Sequence, residues 1–377
     1  MKTTSIIRLS VLAQSFVFCL LAGAAEERRF ETSSRLSLGT EKNLSASVSI
    51  GDLDGDKDLD VVVANGRHWP QQNFLFFNQG RARFKLSRRL GEDLATSYAT
   101  ELADLDGDGD LDIAVGNDTA PNAIFLNDGH GHFEYHGSFG QPSSIRSLTL
   151  ADIDQDGDVD ILANARGRQN LIYLNDGAAN FPSSRAFGKA DESTINVAVG
   201  DLNNDGHPDL VLANRDGQQN AVLLNDGEAR FTERIPYGTG RDETRAVAIA
   251  DLDGDGNLDW VAGDIGQANS VYLGDGKGGV RETATFGRAD GRTYTLAVAD
   301  MNKDGHPDII VGNVAQPNAV FFNQGSGMEF REVRFGDSTE ITYNLAIGDL
   351  SGNGYPDIAV ANSDGPNLIY LNLPPRR

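Results

Sequence analysis

The chain has 377 residues, a formal net charge of -23 and 39% hydrophobic residues, a composition that excludes a disordered chain and a protein embedded mostly in membrane. Its acidity also argues against nucleic acid or an anionic membrane surface as the main partner, because both attract basic proteins. Cations are the partners that this charge favours.

The first 24 residues are predicted to be a secretory signal peptide. Lys2 and Arg8 flank the start of a mostly apolar run from Val11 to Leu21, and the small residues 22–24 fit a cleavage site. A membrane anchor is the alternative, but the run is shorter than the ~20 residues of a spanning helix. We therefore expect a secreted protein, extracellular or periplasmic, that has no disulfides because its single cysteine, Cys19, lies in the signal peptide.

An Asp-rich nonapeptide then recurs through the rest of the chain in seven copies. The copies begin at residues 52, 104, 152, 201, 251, 300 and 349. Around the fourth copy, alternating residues at 196–200 and an apolar run at 210–213 predict two strands. An Asn-Asp-Gly turn then separates two further strands, at 221–224 and 230–235. Each repeat is thus predicted to be a four-stranded antiparallel meander, which is typical of a β-propeller blade.

We predict a single all-β domain, residues 30–373, folded as a seven-bladed β-propeller. The seventh repeat ends after its third strand, at 368–371, and lacks the outer strand of the other repeats. The segment from Phe30 to Leu38 resembles the outer strand that ends at Tyr237, so it is predicted to complete the last blade and to close the ring. An open solenoid, the alternative, would leave two sheet edges unexplained.

The nonapeptide loops are predicted to bind calcium. Calcium takes six to eight oxygen ligands, and carboxylates on alternate residues of a tight loop supply them, as in the first half of an EF-hand loop. Positions one, three, five and nine offer side-chain oxygens, position seven offers its backbone carbonyl, and Gly at position six permits the sharp turn. The five ligand positions are, copy by copy, Asp52, Asp54, Asp56, Asp58 and Asp60; Asp104, Asp106, Asp108, Asp110 and Asp112; Asp152, Asp154, Asp156, Asp158 and Asp160; Asp201, Asn203, Asp205, His207 and Asp209; Asp251, Asp253, Asp255, Asn257 and Asp259; Asp300, Asn302, Asp304, His306 and Asp308; Asp349, Ser351, Asn353, Tyr355 and Asp357.

Solvated acidic turns are the alternative, because Asp and Gly favour turns in any case. Seven such loops in register favour calcium, since gathered carboxylates repel one another unless a cation joins them. Ligand charge predicts an order of affinity. Copies one, two, three and five carry four carboxylates, copies four and six carry three, and copy seven keeps two. We expect up to seven ions, with the seventh loop the weakest and the first weakened by Lys57, which replaces Gly.

The Asp-rich loops, the repeat period and trailing Phe-Gly pairs such as Phe139-Gly140 and Phe335-Gly336 resemble the FG-GAP/VCBS repeat family. The resemblance covers residues 30–373. It implies the propeller fold and calcium loops, as in the propeller of integrin α chains and in many secreted bacterial proteins. The chain lacks the Gly-Ala-Pro segment of integrins, so integrin-type adhesion is not implied. The bacterial-type repeat proteins, which share no single activity, are the better match.

A ligand site is expected on the face opposite the calcium loops, around the central channel. The residues six positions before each loop are Ala46, Tyr98, Arg146, Ile195, Arg245, Tyr294 and Tyr343. The loop between the second and third strands of the first repeat adds Arg67, His68 and Trp69. Aromatic faces beside guanidinium groups suit sugars or carboxylated ligands, so the Tyr, Arg, His and Trp residues of both sets are predicted ligand-binding residues. In the alternative, the tyrosines pack between blades and the arginines pair with acids such as Glu92, Asp242 and Asp290.

The sequence favours a monomeric binding or scaffold module for a glycan or protein ligand over an enzyme. Among the six histidines only His68 maps to the ligand face, and no nucleophile motif, phosphate loop or zinc cluster is present, so no catalytic residue is assigned. A secreted polysaccharide lyase that uses the same face is the alternative.

Overall fold

The structure is a computed structural model that describes residues 28–375, so the predicted signal peptide lies outside the described residues. The described chain is almost entirely β-strand, with one short 3-10 helix at Ser34–Leu36. The first strands are β1 (Arg29–Glu31), β2 (Ser37–Gly51), β3 (Asp60–Asn65), β4 (Gln71–Phe77) and β5 (Leu86–Ala95). Among residues 28–375, no helix is long and apolar enough to cross a membrane.

The remaining strands follow the repeat period of the sequence. They are β6 (Ser97–Ala103), β7 (Asp112–Asn117), β8 (Ala123–Asn127), β9 (Phe133–Gly137), β10 (Ile145–Ala151), β11 (Asp160–Ala165), β12 (Asn170–Leu174), β13 (Ser183–Phe187), β14 (Thr194–Gly200), β15 (Asp209–Asn214), β16 (Asn220–Leu224), β17 (Glu233–Tyr237), β18 (Thr244–Ala250), β19 (Asp259–Asp264), β20 (Asn269–Gly274), β21 (Val280–Phe286), β22 (Thr293–Ala299), β23 (Asp308–Asn313), β24 (Asn318–Asn323), β25 (Phe330–Phe335), β26 (Thr342–Gly348) and β27 (Asp357–Leu373). The Asp-rich loop connects the first and second strands of each repeat, as predicted.

Five of the sheets are four-stranded antiparallel meanders: β6–β9, β10–β13, β14–β17, β18–β21 and β22–β25. This confirms the predicted β-propeller architecture. The sixth sheet has seven strands in the order β1-β27-β2-β3-β4-β5, and β26 pairs with β27. The described chain therefore forms six sheets rather than seven separate ones, because the start of β2 pairs with β27 and its end pairs with β3.

The second strand of every repeat is buried along its whole length, for example Asp209–Asn214. It lies between two neighbouring sheets, and this explains why its sequence is a continuous apolar run without alternation. The core is accordingly divided into clusters, and most of them bridge two neighbouring sheets. One cluster joins Phe30 of β1 to Ile310, Phe322 and Phe335 of the β22–β25 sheet, together with residues of β26 and β27.

The N-terminal segment pairs with the C-terminal strand. Arg29, Phe30 and Glu31 lie opposite Leu373, Asn372 and Leu371, and Ser37 and Leu38 lie opposite Leu368 and Asn367. The predicted outer strand is thus β1 and the first residues of β2, separated by the 3-10 turn. Phe30 is 8% exposed and Leu38 is 2% exposed, so both side chains belong to the core.

The same interblade hydrogen bond recurs in six of the seven repeats. An Asn at the end of the third strand donates its side-chain N–H to a backbone carbonyl in the second position of the preceding loop. The pairs are Asn127 to Leu53 (3.0 Å), Asn175 to Leu105 (2.8 Å), Asn225 to Ile153 (3.0 Å), Asn323 to Leu252 (2.7 Å), Asn372 to Met301 (2.8 Å) and Asn78 to Leu350 (2.8 Å). In the fifth repeat Gly274 replaces the Asn, and the backbone N–H of Gly278 donates to Leu202. The bond from Asn78 joins the first repeat to the last.

Candidate functional site

The Asp-rich loops fold through two residues with positive φ, at positions four and six. In the second loop these are Gly107 (φ +80°) and Gly109 (φ +97°), a conformation that glycine adopts without steric cost. In the first loop position six is Lys57, with φ +74°. A side chain in this region is strained by roughly 1–2 kcal/mol, so Lys57 adds backbone strain to the first loop.

Backbone amides hold the carboxylates of each loop toward its centre. In the second loop, Asp104 accepts hydrogen bonds from the N–H groups of Gly107 (2.7 Å) and Gly109 (3.0 Å), and Asp108 accepts from Asp110 (2.9 Å). In four loops three carboxylates each bring an oxygen within 4.8 Å of the others. These triplets are Asp52, Asp54 and Asp60; Asp104, Asp106 and Asp108; Asp152, Asp154 and Asp160; Asp251, Asp253 and Asp255. These four loops are the copies whose sequences supply four carboxylates.

Two observations test whether these loops fit a cation. Buried carboxylate oxygens of Asp54, Asp152 and Asp154 have no hydrogen-bond partner among the described residues, and an unpaired buried charge is costly. The donor set consists of oxygens alone, which suits a hard cation such as calcium. The residues therefore fit the predicted ion.

The ninth residue of each loop has a structural role that the sequence pattern does not reveal. Asp112 is fully buried, and its two oxygens accept the N–H groups of Leu105 (2.9 Å) and Asn127 (2.9 Å), which ties the loop to the third strand. The same two bonds recur at Asp60, whose pKa burial raises to about 7. The ninth residue thus contributes to the fold whether or not it contacts an ion.

In the fourth and sixth loops, asparagine side chains form hydrogen bonds with the neighbouring carboxylates. Asn203 and Asn302, which replace Asp, donate hydrogen bonds to Asp205 (2.8 Å) and Asp304 (2.7 Å) of the same loops. These bonds relieve the repulsion that a third carboxylate would create. The side chain of His207 bonds to Gln155 of the preceding repeat (2.7 Å), in agreement with a ligand role limited to its backbone.

Two loops have a protein cation close by. Arg281 pairs with Asp253 and Asp255 of the fifth loop. In the seventh loop, Arg28 and Lys303 lie over the ring of Tyr355, at 3.7 Å and 5.3 Å from its centroid. Arg281 places positive charge on carboxylates that would bind an ion, and Arg28 and Lys303 bring positive charge beside the seventh loop.

The predicted ring residues come together at one cavity of about 150 Å³. Tyr98, Arg146, Arg245, Tyr294 and Tyr343 all line it, from five different sheets or sheet segments. Ala46 and Ile195, the two apolar members of the ring, line it as well. The convergence follows from the repeat, because equivalent positions of the first strands face the same central channel.

The two arginines of the ring have different surroundings. Arg146 forms an ion pair with Asp118 (2.9 Å) and stacks on Tyr98 at 4.4 Å. Arg245 is 9% exposed and stacks on Tyr294 (5.2 Å) and Tyr343 (5.8 Å). In the described part of the chain its guanidinium makes no ion pair, and its Nε atom has no hydrogen-bond partner. Burial lowers the pKa of Arg245 to about 10, so the group stays protonated at neutral pH.

The acids that the alternative interpretation paired with the arginines of the ring contact other groups. Asp242 accepts hydrogen bonds from Thr239, and Asp290 pairs with Arg288. Arg166 pairs with Asp216 at 2.6 Å, and Arg215 with Glu243 at 3.4 Å. Arg166 and Arg215 are thus neutralised, whereas Arg245 is not.

The loop between β3 and β4, residues 66–70, carries the three predicted residues beside the cavity. Asn65 donates its N–H to Asn73, eight residues later, whereas Asn117 of the second repeat donates to Asn122, five residues later. Arg67 stacks on Tyr343 at 4.2 Å, and the Trp69 side chain is 68% exposed.

His68 links this loop to the ring. Its Nδ1 atom lies 2.7 Å from a carboxylate oxygen of Asp118, and its Nε2 atom lies 2.8 Å from the hydroxyl of Tyr98. Burial opposes ionisation of Asp118, but hydrogen bonds from Arg146 and His68 outweigh it and hold the pKa of this carboxyl below its ordinary value. Asp118 was not predicted as a site residue. Its signal in the sequence is its place after Asn117, where no other repeat carries an acid.

Glu101 is a second cavity residue that was not predicted. It lies on β6, three residues before the second loop, and lines the same cavity. It makes no hydrogen bond or ion pair with the residues that the structure describes. Burial raises the pKa of its carboxyl to about 8.

Comparison with known proteins gives a family and a fold. The model of the FG-GAP-like repeat matches residues 52–115, 104–163, 156–212, 201–262, 251–311 and 300–360. No curated protein matches the sequence. Crystal structures of BBS1N in complex with ARL6DN, soaked with mercury or with lead, are similar in fold at TM-scores of 0.61 and 0.59. Both are 14% identical, cover 91% of this chain and have 97% and 96% of their own chains covered. At this identity the likeness concerns the β-propeller fold alone.

Proposed function

Because the chain belongs to the FG-GAP-like repeat family, we propose that it is an exported, calcium-stabilised β-propeller module that binds an anionic glycan or protein ligand. The ligand binds at the mouth of the channel, on the face opposite the Asp-rich loops. The observation that carries the proposal is the buried, unpaired guanidinium of Arg245 in a cavity lined by three tyrosines.

The propeller has seven blades and is closed. The seven-stranded sheet then comprises the first and last blades, joined where β2 pairs with β27. Two contacts support closure: β26 contacts β2, and the side-chain oxygen of Asn344 accepts the N–H of Val48 at 3.0 Å. The same bond joins Asn196 to Val247 between two other neighbouring blades. The hydrogen bond from Asn78 to Leu350 supports closure in the same way.

Up to seven calcium ions stabilise the turns of one face. When bound, each ion neutralises the carboxylates that the loop gathers, and the first, second, third and fifth loops supply most charge. The fifth loop binds an ion only when Arg281 moves from Asp253 and Asp255. The seventh loop, with two carboxylates and the neighbouring Arg28 and Lys303, is the weakest site.

The ligand face offers charge and aromatic surface together. Arg245 recognises the anionic group of the ligand, while the exposed ring of Trp69 at the rim stacks on a sugar ring or an apolar side chain. Arg146 contributes less, because Asp118 already neutralises it. The buried charge of Arg245 lowers the stability of the fold, and such a loss of stability is typical of functional residues.

Two substitutions separate binding from stability. Arg245→Met should weaken binding to anionic polysaccharides, measured by calorimetry, by about tenfold or more, since one charged hydrogen bond contributes ~1.5–3 kcal/mol. It should leave the melting temperature unchanged or higher, because it removes an unpaired buried charge. Arg146→Met should instead lower the melting temperature, because it removes the ion pair with Asp118. Arg288→Met, far from the cavity, is the matched control. A lower melting temperature for Arg245→Met with unchanged binding would identify Arg245 as a packing residue.

A second candidate function, a polysaccharide lyase, is favoured by the chain of hydrogen bonds through His68. Asp118 orients the imidazole, whose Nε2 atom accepts the hydroxyl proton of Tyr98, and the nearby guanidiniums suit a substrate carboxylate. Incubation with uronic acid polysaccharides, followed by the ultraviolet absorbance of unsaturated products, tests this function. Product formation that His68→Ala abolishes supports the lyase. Binding without product from any of these polysaccharides would exclude it for them.

A further inference from the structure

The first strand of each repeat carries a small residue three positions before its loop, with one exception. The positions three residues before each loop are Ser49, Glu101, Thr149, Ala198, Ala248, Ala297 and Ala346. Glu101 is the one ionisable residue of this layer, and it lies in the cavity that Arg245 also lines. Four of its counterparts are alanine, so packing of the inner strands does not require a long side chain at this position.

Glu101 has no partner for its carboxyl in the described part of the chain. The surrounding protein raises the pKa of this carboxyl to about 8, because removal from water disfavours its charged form. A donor that enters the cavity with a ligand would compensate for this removal from water. A cationic donor would do so best, because charge-assisted hydrogen bonds are the strongest.

Arg245 and Glu101 lie at two depths of the cavity. Arg245 is six residues before its loop and Glu101 is three, and three residues of a strand span ~10 Å. A cavity of about 150 Å³ that both side chains line admits only a small ligand or one end of a larger one.

We propose that this cavity binds a linear zwitterion, with its carboxylate on Arg245 at the mouth and its ammonium group on Glu101 in the channel. This inference rests on the proposed function and names the ligand class of the same site. In a protein partner the matching group is a C-terminal lysine, whose α-carboxylate meets Arg245 while its side chain enters the channel. The peptide preceding that lysine lies across the rim, beside Trp69.

Calorimetry with a series of ω-amino carboxylates of four, six and eight carbons tests the proposal on the whole secreted chain with calcium. Hexanoate and hexylamine are the matched probes that carry one charge each. Aminohexanoate or aminooctanoate should bind the wild type at least about tenfold more tightly than hexanoate. Glu101→Gln should abolish this preference and keep the affinity for hexanoate, whereas Arg245→Met should weaken both. Ser49→Ala, in the same layer, should change neither.

The outcomes distinguish this inference from the function on which it rests. If hexanoate and aminohexanoate bind the wild type equally, or if Glu101→Gln still prefers aminohexanoate, the zwitterion proposal is refuted and the proposed anion site remains. If only anionic polysaccharides bind, the zwitterion is overturned and the ligand is a glycan. If neither these probes nor anionic polysaccharides bind, both proposals fail. A peptide that ends in lysine should bind better than its C-terminal amide, and equal affinities would exclude the protein ligand.

Discussion

Removal of the N-terminal strand is expected to destabilise the whole propeller. A chain that begins at residue 39 loses Phe30 and Leu38, which are 8% and 2% exposed. Truncation of a buried Phe costs ~3–5 kcal/mol and of a buried Leu ~2–5 kcal/mol, so the two side chains alone contribute at least ~5 kcal/mol. This is comparable to the total stability of ~5–15 kcal/mol of an ordinary domain. The shortened chain should therefore fail to fold or melt roughly 10 °C lower.

Calorimetric melting in calcium measures this loss, with a chain that begins at residue 26 as the reference. Phe30→Ala should reproduce most of the effect, because its ring also packs against Phe322 and Phe335. The exposed neighbour Thr32 provides the matched control, since Thr32→Ala should change stability by less than ~0.5 kcal/mol. A shortened chain with the wild-type melting temperature would refute the closure of the ring by this segment.

Three further predictions concern the loops, the ring and the channel. Chelation of calcium should lower the melting temperature. Asp104→Asn should lower it more than Asp349→Asn in calcium but not in chelator, since each residue accepts two backbone N–H groups of its own loop. Equal losses in calcium would contradict the affinity order. In denaturant titrations Asn78→Ala and Asn127→Ala should each cost ~1–3 kcal/mol, and a much smaller loss at Asn78 would count against a closed ring. Folding raises the pKa of Glu101 from 4.5 to about 8, so ionisation of this carboxyl opposes folding. As pH rises through this range, the wild type should lose stability relative to Glu101→Gln, at ~1.4 kcal/mol per unit of pKa difference. A stability difference that does not change with pH would show that the pKa of Glu101 is not raised in the folded protein.

The architecture is predictable from the sequence because one pattern repeats. Loop, apolar run and turn recur at a nearly constant spacing, so each repeat confirms the strand assignment of the others. The number of sheets is less predictable. It depends on β2 being one long strand that pairs with β27 at its start and with β3 at its end. The residues of β2 between Leu38 and Asn43, such as Thr40, carry no distinct strand pattern.

Repetition also explains what the sequence predicts of the site. Tyr98 and Arg245 occupy equivalent positions in their repeats, so the sequence alone predicts that both line one channel. Asp118 and Glu101 break the repeat, so an argument from equivalent positions passes over them. The pairing of Arg146 with Asp118 depends on side-chain direction across neighbouring blades, which the strand period does not specify. The calcium ligands remain a prediction for the same reason, since spacing indicates which oxygens are available but not which ones an ion contacts.

The pairing of β1 with β27 has a mechanical consequence. The two strands are antiparallel, with Arg29 opposite Leu373, so the chain enters and leaves the domain at the same end of one strand pair. Tension applied to the two termini then separates the hydrogen bonds of this pair one after another, as a zipper opens, instead of loading them all at once in shear. A protein suspended by its own ends would open first at this seam, at low force, while the sheets between residues 97 and 335 stay intact.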